Sequence, residues 1–302
     1  MAAFNLLRAP QLSIVVAFHN MRREAQRTLF ALTTQFQRGV DVADYEVIVV
    51  DSNSREPLDA RWVTSLQRNF RYRYVESSVP TPNKAMNTGI AMARGKLVCC
   101  MIDGARIPSP GIVSGMIRAS QALGPAYVMT LGMHLGPKVQ SDSVSDGYNQ
   151  AVEDRLLSTV DWQNDGYELF RICAPAMSSS GGYFQPIAES NCFTVPKKIL
   201  TEIGGFDERF VEPGGGLVNL HIHNLLVTHP ALAPVMLLGE ASFHQFHGGV
   251  ATNTPVAQSP FARFCAEYER VTGQAFAKRW RDPAYWGSVP DVARPFLLIE
   301  QP

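Results

Sequence analysis

The sequence lacks the features that mark secreted, membrane-spanning or zinc-ribbon proteins. Its five cysteines are scattered without a Cys-x-x-Cys pair, so they are interpreted as small core residues in a reducing compartment. No basic start followed by a long apolar core is present, which argues against a secretory signal. All apolar runs are far shorter than the ~20 residues of a membrane-spanning helix. We therefore predict a cytoplasmic location.

Net charge and several well-known site motifs are also absent. The 27 Lys and Arg residues balance the 27 Asp and Glu residues, so no general attraction to nucleic acid is predicted. The chain has no G-x-G-x-x-G after its first predicted strand, no P-loop, no G-x-S-x-G elbow and no H-E-x-x-H. These absences argue against dinucleotide, P-loop, serine-hydrolase and metalloprotease sites.

What the first half does contain is a regular alternation of two periods. Short apolar runs predict strands at residues 12–18, 45–51, 71–77 and 96–103, and helical spacing predicts helices at residues 22–37, 57–70, 83–93 and 110–122. This order is typical of a mostly parallel sheet with helices on both faces. Because such folds bind ligands at the carboxyl ends of their strands, we expect Asp51 and Asp103 to lie at the ligand-binding edge.

The second half of the chain is less regular. We predict strands at residues 127–133 and 189–195, helices at residues 148–157 and 197–203, and loops at residues 140–147 and 178–182. The domain boundaries that follow are one α/β domain over residues 1–255 and a helical extension, residues 256–302, packed on the same domain. Within the extension, residues 261–286 alternate aromatic with basic side chains, a pattern that also suits peripheral contact with a membrane surface.

An ordered set of segments resembles a known family. These segments are SIVVAFHN, VIVVDSNS, PNKAMNTGIAMARGKLVCCMID, ESNCFTVPKKILTEIGGFDERF and FHQFHGG. Together, over residues 12–249, they resemble the family-2 inverting glycosyltransferases with the GT-A nucleotide-sugar fold. The resemblance implies transfer of a sugar from a nucleoside diphosphate-sugar, with UDP expected as the nucleotide, to a glycan or lipid-linked acceptor. Surface polysaccharide synthesis at the inner face of the membrane is the implied setting.

The resemblance also implies which residues bind the donor. They follow the predicted strands or start the third helix, and they are Phe18, His19, Asp51, Lys84, Asn87, Asp103 and Arg106. In the family the fourth strand ends in Asp-x-Asp, but here the second position is Ala105. We therefore expect Mn²⁺ or Mg²⁺ to bind weakly, or to be dispensable, at Asp103 and His247, with His244 the lesser candidate. The guanidinium of Arg106 would supply part of the missing positive charge to a diphosphate.

The catalytic base cannot be carried over from the family. Family members place Glu-Asp before the next helix, whereas this chain has Gly216 and Leu217. Inverting transfer needs a base on the acceptor hydroxyl, and the preferred candidates are Glu189 and Glu212, with Asp207 also nearby and His221 a distant option. A non-catalytic module that binds sugar nucleotides or glycans and has lost the base remains the alternative. The donor sugar, the acceptor and the oligomeric state stay open.

Overall fold

The computed structural model describes residues 9–188, 191–250, 252–254 and 258–299. Within these residues one mixed sheet of ten strands forms the centre of the fold. The strands are β1 (Leu12–Phe18), β2 (Tyr45–Ser52), β3 (Phe70–Val75), β4 (Leu97–Met101), β5 (Arg106–Pro108), β6 (Ala126–Leu135), β7 (Cys173–Pro175), β8 (Cys192–Pro196), β9 (Ala233–His244) and β10 (Ala284–Gly287). Their order is β10-β9-β6-β8-β4-β1-β2-β3, with β5 paired to β9 and β7 to β6.

Helices connect and cover these strands. They are α1 (Arg22–Phe30), α2 (Ala60–Leu66), α3 (Asn83–Met92), α4 (Ile112–Leu123), α5 (Gln140–Ser145), α6 (Gln150–Leu157), α7 (Lys197–Glu202), α8 (Val218–Val227) and α9 (Phe261–Thr272). Short 3-10 turns lie at Gly166–Ile172, Met177–Ser179, Pro213–Gly215 and Asp291–Phe296. No helix among the described residues combines the length and hydropathy that crossing a bilayer requires.

The parallel part of the sheet agrees with the sequence prediction. The strands β1, β2, β3 and β4 run parallel and are joined by α1, α2 and α3. Side chains alternate between two apolar layers, so that the free thiols of Cys99 and Cys100 are buried on opposite faces. Because the strands are parallel, their carboxyl ends share one edge, and the register pairs Phe18 with Asp51 at that edge.

Several predicted elements have different extents; the helix predicted for residues 57–70, for example, spans only Ala60–Leu66. The helix predicted for residues 22–37 ends at Phe30, because the side chains of Thr33 and Gln37 bond the backbone carbonyls of Phe30 and Ala31 and turn the chain. The loop predicted for residues 140–147 instead contains α5.

The predicted helical extension is only partly helical. The helix α9 ends at Gly273, which has the left-handed φ of 73°, and residues 275–283 have no regular secondary structure. Ala284–Gly287 then adds to the sheet as β10, parallel to β9. Residues from the extension therefore complete the same sheet that the earlier residues begin.

Candidate functional site

The candidate site lies where β4, β5 and β9 meet at the edge formed by the carboxyl ends of the parallel strands. Asp103 follows β4 by two residues, and Arg106 starts β5. Strand β5 pairs antiparallel with the end of β9, which places Arg106 in register with His244. His247 follows three residues after β9 ends. The topology thus brings the last residues of β9 to the carboxylate that follows β4.

Three side chains converge there on one point. His244 Nε2 lies 2.9 Å from Asp103 Oδ2, and His247 Nε2 lies 3.5 Å from the same oxygen. The two Nε2 atoms are 3.2 Å apart. An ion about 2.1 Å from each donor, as with zinc and imidazole, needs donors spaced by about 3.0 to 3.4 Å. The cluster formed by Asp103, His244 and His247 therefore fits one divalent cation.

The electrostatics of the cluster favour the protonation states that ligate metals. Burial would raise the pKa of Asp103, but the adjacent His247 and His244 outweigh it and hold that pKa well below its usual range. Burial lowers the pKa of His244 to about 4 despite the opposing effect of Asp103. For His247 the carboxylate outweighs burial, and the pKa is raised. At neutral pH the cluster thus contains a carboxylate and at least one neutral imidazole, both of which bind metals.

The structure explains how the site forms without the second carboxylate. Ala105 is fully buried, and its carbonyl accepts a hydrogen bond from Gln245 N at 2.7 Å, which anchors the start of the histidine loop. His244 Nε2 offers a third potential ligand atom beside Asp103 and His247. The sequence alone favours His247 over His244, because the pairing of β5 with β9, which brings both imidazoles to Asp103, is not visible in the sequence. The only signal in the sequence was the three-residue spacing of the two histidines.

Comparison with known proteins identifies the family. A family model described as glycosyl transferase family 2 matches residues 13–168, which is more than half of the chain. The chain belongs to glycosyl transferase family 2. The match covers the first half of this family 2 chain, which includes the parallel part of the sheet and its helices.

Solved structures show the same fold at low sequence identity. S. aureus TarS is 11% identical with a TM-score of 0.54, and the alignment covers 89% of this chain but only 40% of TarS. TarS 1-349 in complex with UDP-GlcNAc is 11% identical with a TM-score of 0.53, covering 89% and 68%. The mannosyltransferase PcManGT from Pyrobaculum calidifontis, in complex with GDP-Man and Mn²⁺, is 18% identical with a TM-score of 0.50, covering 89% and 67%. No curated protein matches the chain significantly. The GT-A fold is confirmed by these likenesses.

Of the donor-binding residues predicted for this family 2 chain, two lie at the ends of β1 and β2 inside the protein. Phe18 is 1% exposed and lies so close under Gly104 that a Cβ on Gly104 would meet its ring at 2.4 Å. It packs in the core beside Gly104, and its place at the wall of a base pocket stays a prediction. Asp51 is fully buried, with Ser54 Oγ donating to one oxygen and Leu58 N donating to the other at 2.8 Å. Its contact with a nucleotide base stays a prediction.

The other predicted donor-binding residues are more accessible. His19 is exposed, with Nδ1 at 2.6 Å from the carbonyl of Ser52. Lys84 is exposed and donates to the carbonyl of Glu76 at 2.8 Å. Asn87 bonds both backbone groups of Phe206, which ties α3 to the turn after α7. Their roles toward ribose and phosphate stay predictions.

Arg106 is buried next to Asp103. Its side chain is 3% exposed, and Nε lies 4.0 Å from Asp103 Oδ2. One of its terminal nitrogens donates to Ser242 Oγ at 3.4 Å. The guanidinium therefore adds positive charge behind Asp103, and direct contact with a diphosphate stays a prediction.

Of the two predicted catalytic bases, the structure describes only Glu212. Glu189 lies outside the described residues. Glu212 pairs with Arg263 of α9 at 2.7 Å. Beside it, the backbone N–H groups of Val211 and Glu212 donate to Glu267 of α9 at 2.8 and 3.0 Å. The segment that lacks the family's acidic pair is thus held by carboxylate and guanidinium groups of α9.

Proposed function

We propose that this chain transfers a glycosyl group, with inversion, from a nucleoside diphosphate-sugar to a hydroxyl of its acceptor. The observation that carries the proposal is the cluster of Asp103, His244 and His247 at the carboxyl edge of the sheet. Membership in glycosyl transferase family 2 supports it. So does the fold shared with TarS, described with UDP-GlcNAc, and with PcManGT, described with GDP-Man and Mn²⁺.

A divalent cation bound by the three cluster residues would neutralise the diphosphate as it leaves. The sequence alone suggested weak or dispensable binding, because Ala105 replaces a carboxylate. His244 offers a ligand atom to which the sequence analysis gave less weight, so we propose that the cation contributes substantially to donor binding. The ion would be held by Asp103, His244 and His247. The positive charge of Arg106, with Nε 4.0 Å from Asp103 Oδ2, would partly neutralise that carboxylate.

Inversion requires a base opposite the leaving group. Glu189 and Glu212 remain our candidates. Glu212 would first have to part from Arg263, which is 58% exposed and makes its ion pair near the surface. The acceptor would be a glycan or a lipid-linked glycan in surface polysaccharide synthesis, reached from the cytoplasmic face of the membrane.

The alternative is a module that binds sugar nucleotides without transferring them. The glycine at position 216, where an acidic residue was expected, is the observation that favours it. Slow release of free nucleoside diphosphate from UDP-GlcNAc or GDP-mannose would indicate a working site. Binding of these donors without any release would favour the module.

Calorimetry with UDP, GDP and dTDP, each with and without Mn²⁺, tests the proposal. We expect UDP to bind most tightly and Mn²⁺ to strengthen binding. If no nucleoside diphosphate binds below millimolar concentration under either condition, the proposed function is wrong.

Membrane contact needs a separate measurement. The net charge is zero, so binding to anionic vesicles would have to come from local basic and aromatic groups of the extension. Sedimentation with vesicles of neutral and of anionic lipids tests this. Failure to sediment with either would remove the membrane from the proposal.

A further inference from the structure

A buried glutamine next to His244 makes four hydrogen bonds with its side-chain amide. Gln140 is fully buried at the start of α5. Its side-chain nitrogen donates to the carbonyls of His244 at 3.0 Å and Leu135 at 3.4 Å. Its side-chain oxygen lies 2.7 Å from His244 Nδ1 and accepts from Asn253 Nδ2 at 3.1 Å. Because the nitrogen faces two carbonyls, which only accept, the orientation of the amide is determined.

This orientation decides the tautomer of His244. The amide oxygen of Gln140 can only accept, so Nδ1 of His244 carries the hydrogen. In the neutral ring Nε2 then holds a lone pair. That lone pair faces Asp103 Oδ2 at 2.9 Å and His247 Nε2 at 3.2 Å. A lone pair directed at a carboxylate oxygen is unfavourable unless a metal ion lies between them or His247 Nε2 donates a hydrogen to one of the two.

Asn253 connects the second histidine to the same glutamine. Its side-chain oxygen accepts from the backbone N–H groups of Gly248 at 2.9 Å, Gly249 at 2.8 Å and, more loosely, His247 at 3.4 Å. Its nitrogen donates to Gln140. The pair of Gln140 and Asn253 thus positions the ring of His244 and the backbone of His247 together.

We infer that Gln140 and Asn253 are positioning residues that strengthen the binding of a transition-metal ion by the cluster, because they leave Nε2 of His244 free to ligate and place His247 beside it. Two imidazole nitrogens and one carboxylate suit Mn²⁺ and the ions that follow it, whereas Mg²⁺ requires oxygen ligands in octahedral geometry. Second-shell partners of histidine ligands fix the tautomer and typically account for ~10–100-fold in metal affinity. The inference rests on the cation site of the proposed function, but its test needs no sugar transfer.

Calorimetry on the intact, chelator-treated chain with MnCl₂, CoCl₂ or MgCl₂ provides the test. MgCl₂ serves as the comparison ion, because Mg²⁺ is bound through oxygen ligands. Gln140→Met, of similar size but without hydrogen bonds, is expected to weaken Mn²⁺ binding by ~10–100-fold. Asn253→Ala is expected to weaken it in the same direction.

Gln37→Met is the matched control. Gln37 is 3% exposed, and its nitrogen also donates to two carbonyls, those of Ala31 and Ser109, while its oxygen accepts from Val113 N. It contacts none of the cluster residues through these bonds. Both glutamine variants should lose similar thermal stability, but only Gln140→Met should lose Mn²⁺ affinity.

Long-range proton–nitrogen spectra of the histidine rings give a second readout on the wild type. We expect the hydrogen of His244 on Nδ1, with the signal assigned by its loss in His244→Gln. This measurement decides the inference even if Gln140→Met does not fold. Unchanged Mn²⁺ affinity in folded Gln140→Met, or a hydrogen on Nε2 of His244, would each overturn it. Failure of nucleotide binding alone would count only against the proposed function.

Discussion

Asp51 and Asp103 both end or follow a buried parallel strand, yet their surroundings differ completely. Asp51 has both oxygens engaged by its own loop, through Ser54 and Leu58. One oxygen of Asp103 accepts a hydrogen bond from Ala105 N. Its other oxygen faces the imidazoles of His244 and His247, which follow ~140 residues later in the chain. Position at the edge of the sheet therefore does not decide by itself what surrounds a carboxylate. The following loop decides how many of its acceptor sites are already used within the protein.

The substitution Asp103→Asn tests whether Asp103 binds a metal ion, and it should give the largest effect. The substitution removes the only anionic donor of the cluster, so we expect Mn²⁺ affinity to fall by at least ~100-fold, the upper end of what second-shell losses cause. Calorimetry with MnCl₂ measures the loss. Unchanged affinity would show that the ion does not use Asp103.

Asp51→Ala tests the structural side. It leaves the buried N–H of Leu58 and the hydroxyl of Ser54 without their acceptor, at a cost of roughly 2 to 4 kcal/mol in the free energy of unfolding. Denaturant titration measures this. The matched control is Asp59→Ala, which removes an exposed acceptor at the start of α2 and should cost about 1 kcal/mol. Equal losses in the two variants would contradict the assignment of Asp51 as an internal support.

Glu153 adds a third kind of buried carboxylate to the comparison. Burial raises its pKa to about 7, although Phe246 N, Arg23 and Arg27 oppose the shift. Since the folded pKa exceeds the ordinary value of 4.5, the folded state binds the proton more tightly. The associated stability is present at low pH and is lost as pH rises from about 4.5 through about 7, on the order of 3 kcal/mol in total.

Glu153→Gln should therefore flatten the fall in stability between pH 5 and pH 8. The difference between wild type and variant in denaturant titrations at several pH values isolates the contribution of this residue. Parallel curves for the two proteins across that range would show that Glu153 does not titrate there.

Glu212 is a partly exposed carboxylate, and the effect expected there is the smallest. Its partner Arg263 is mostly exposed, so Arg263→Ala should change the unfolding free energy by no more than about 1 kcal/mol. If Glu212 is the base, freeing it should also change the rate of nucleoside diphosphate release. A stability loss as large as that of Asp51→Ala would mean that the pair is a structural support instead.

The sequence predicted the parallel half of the fold well, because β1, β2 and β4 are short runs of buried apolar residues whose type needs no tertiary information. It predicted α1 too long, since the side-chain bonds of Thr33 and Gln37 that end it depend on the fold. It missed β10, because four residues at the edge of a sheet carry little periodicity.

The site was predicted less completely than the fold. Asp103 and His247 were named as metal ligands, but His244 was given less weight, because only the pairing of β5 with β9 shows that it reaches Asp103. Asp51 and Asp103 could not be told apart from sequence, since their difference lies in hydrogen bonds made by Ser54 and Leu58. Gln140 was placed in a loop and went unnoticed for the same reason.

Strand β10 pairs with β9 but follows it late in the chain, which affects how the protein folds while it is being synthesised. During synthesis, β9 leaves the ribosome ~40 residues before β10. The edge of β9 at Val235–Leu238 therefore stays open until Ala284–Gly287 arrives, whereas the end that carries His244 is already paired with β5. Unpaired edges invite pairing with other chains. A nascent chain stalled between these strands would hold all three metal ligands while that edge of β9 is still unprotected. Metal loading during translation would then compete with aggregation.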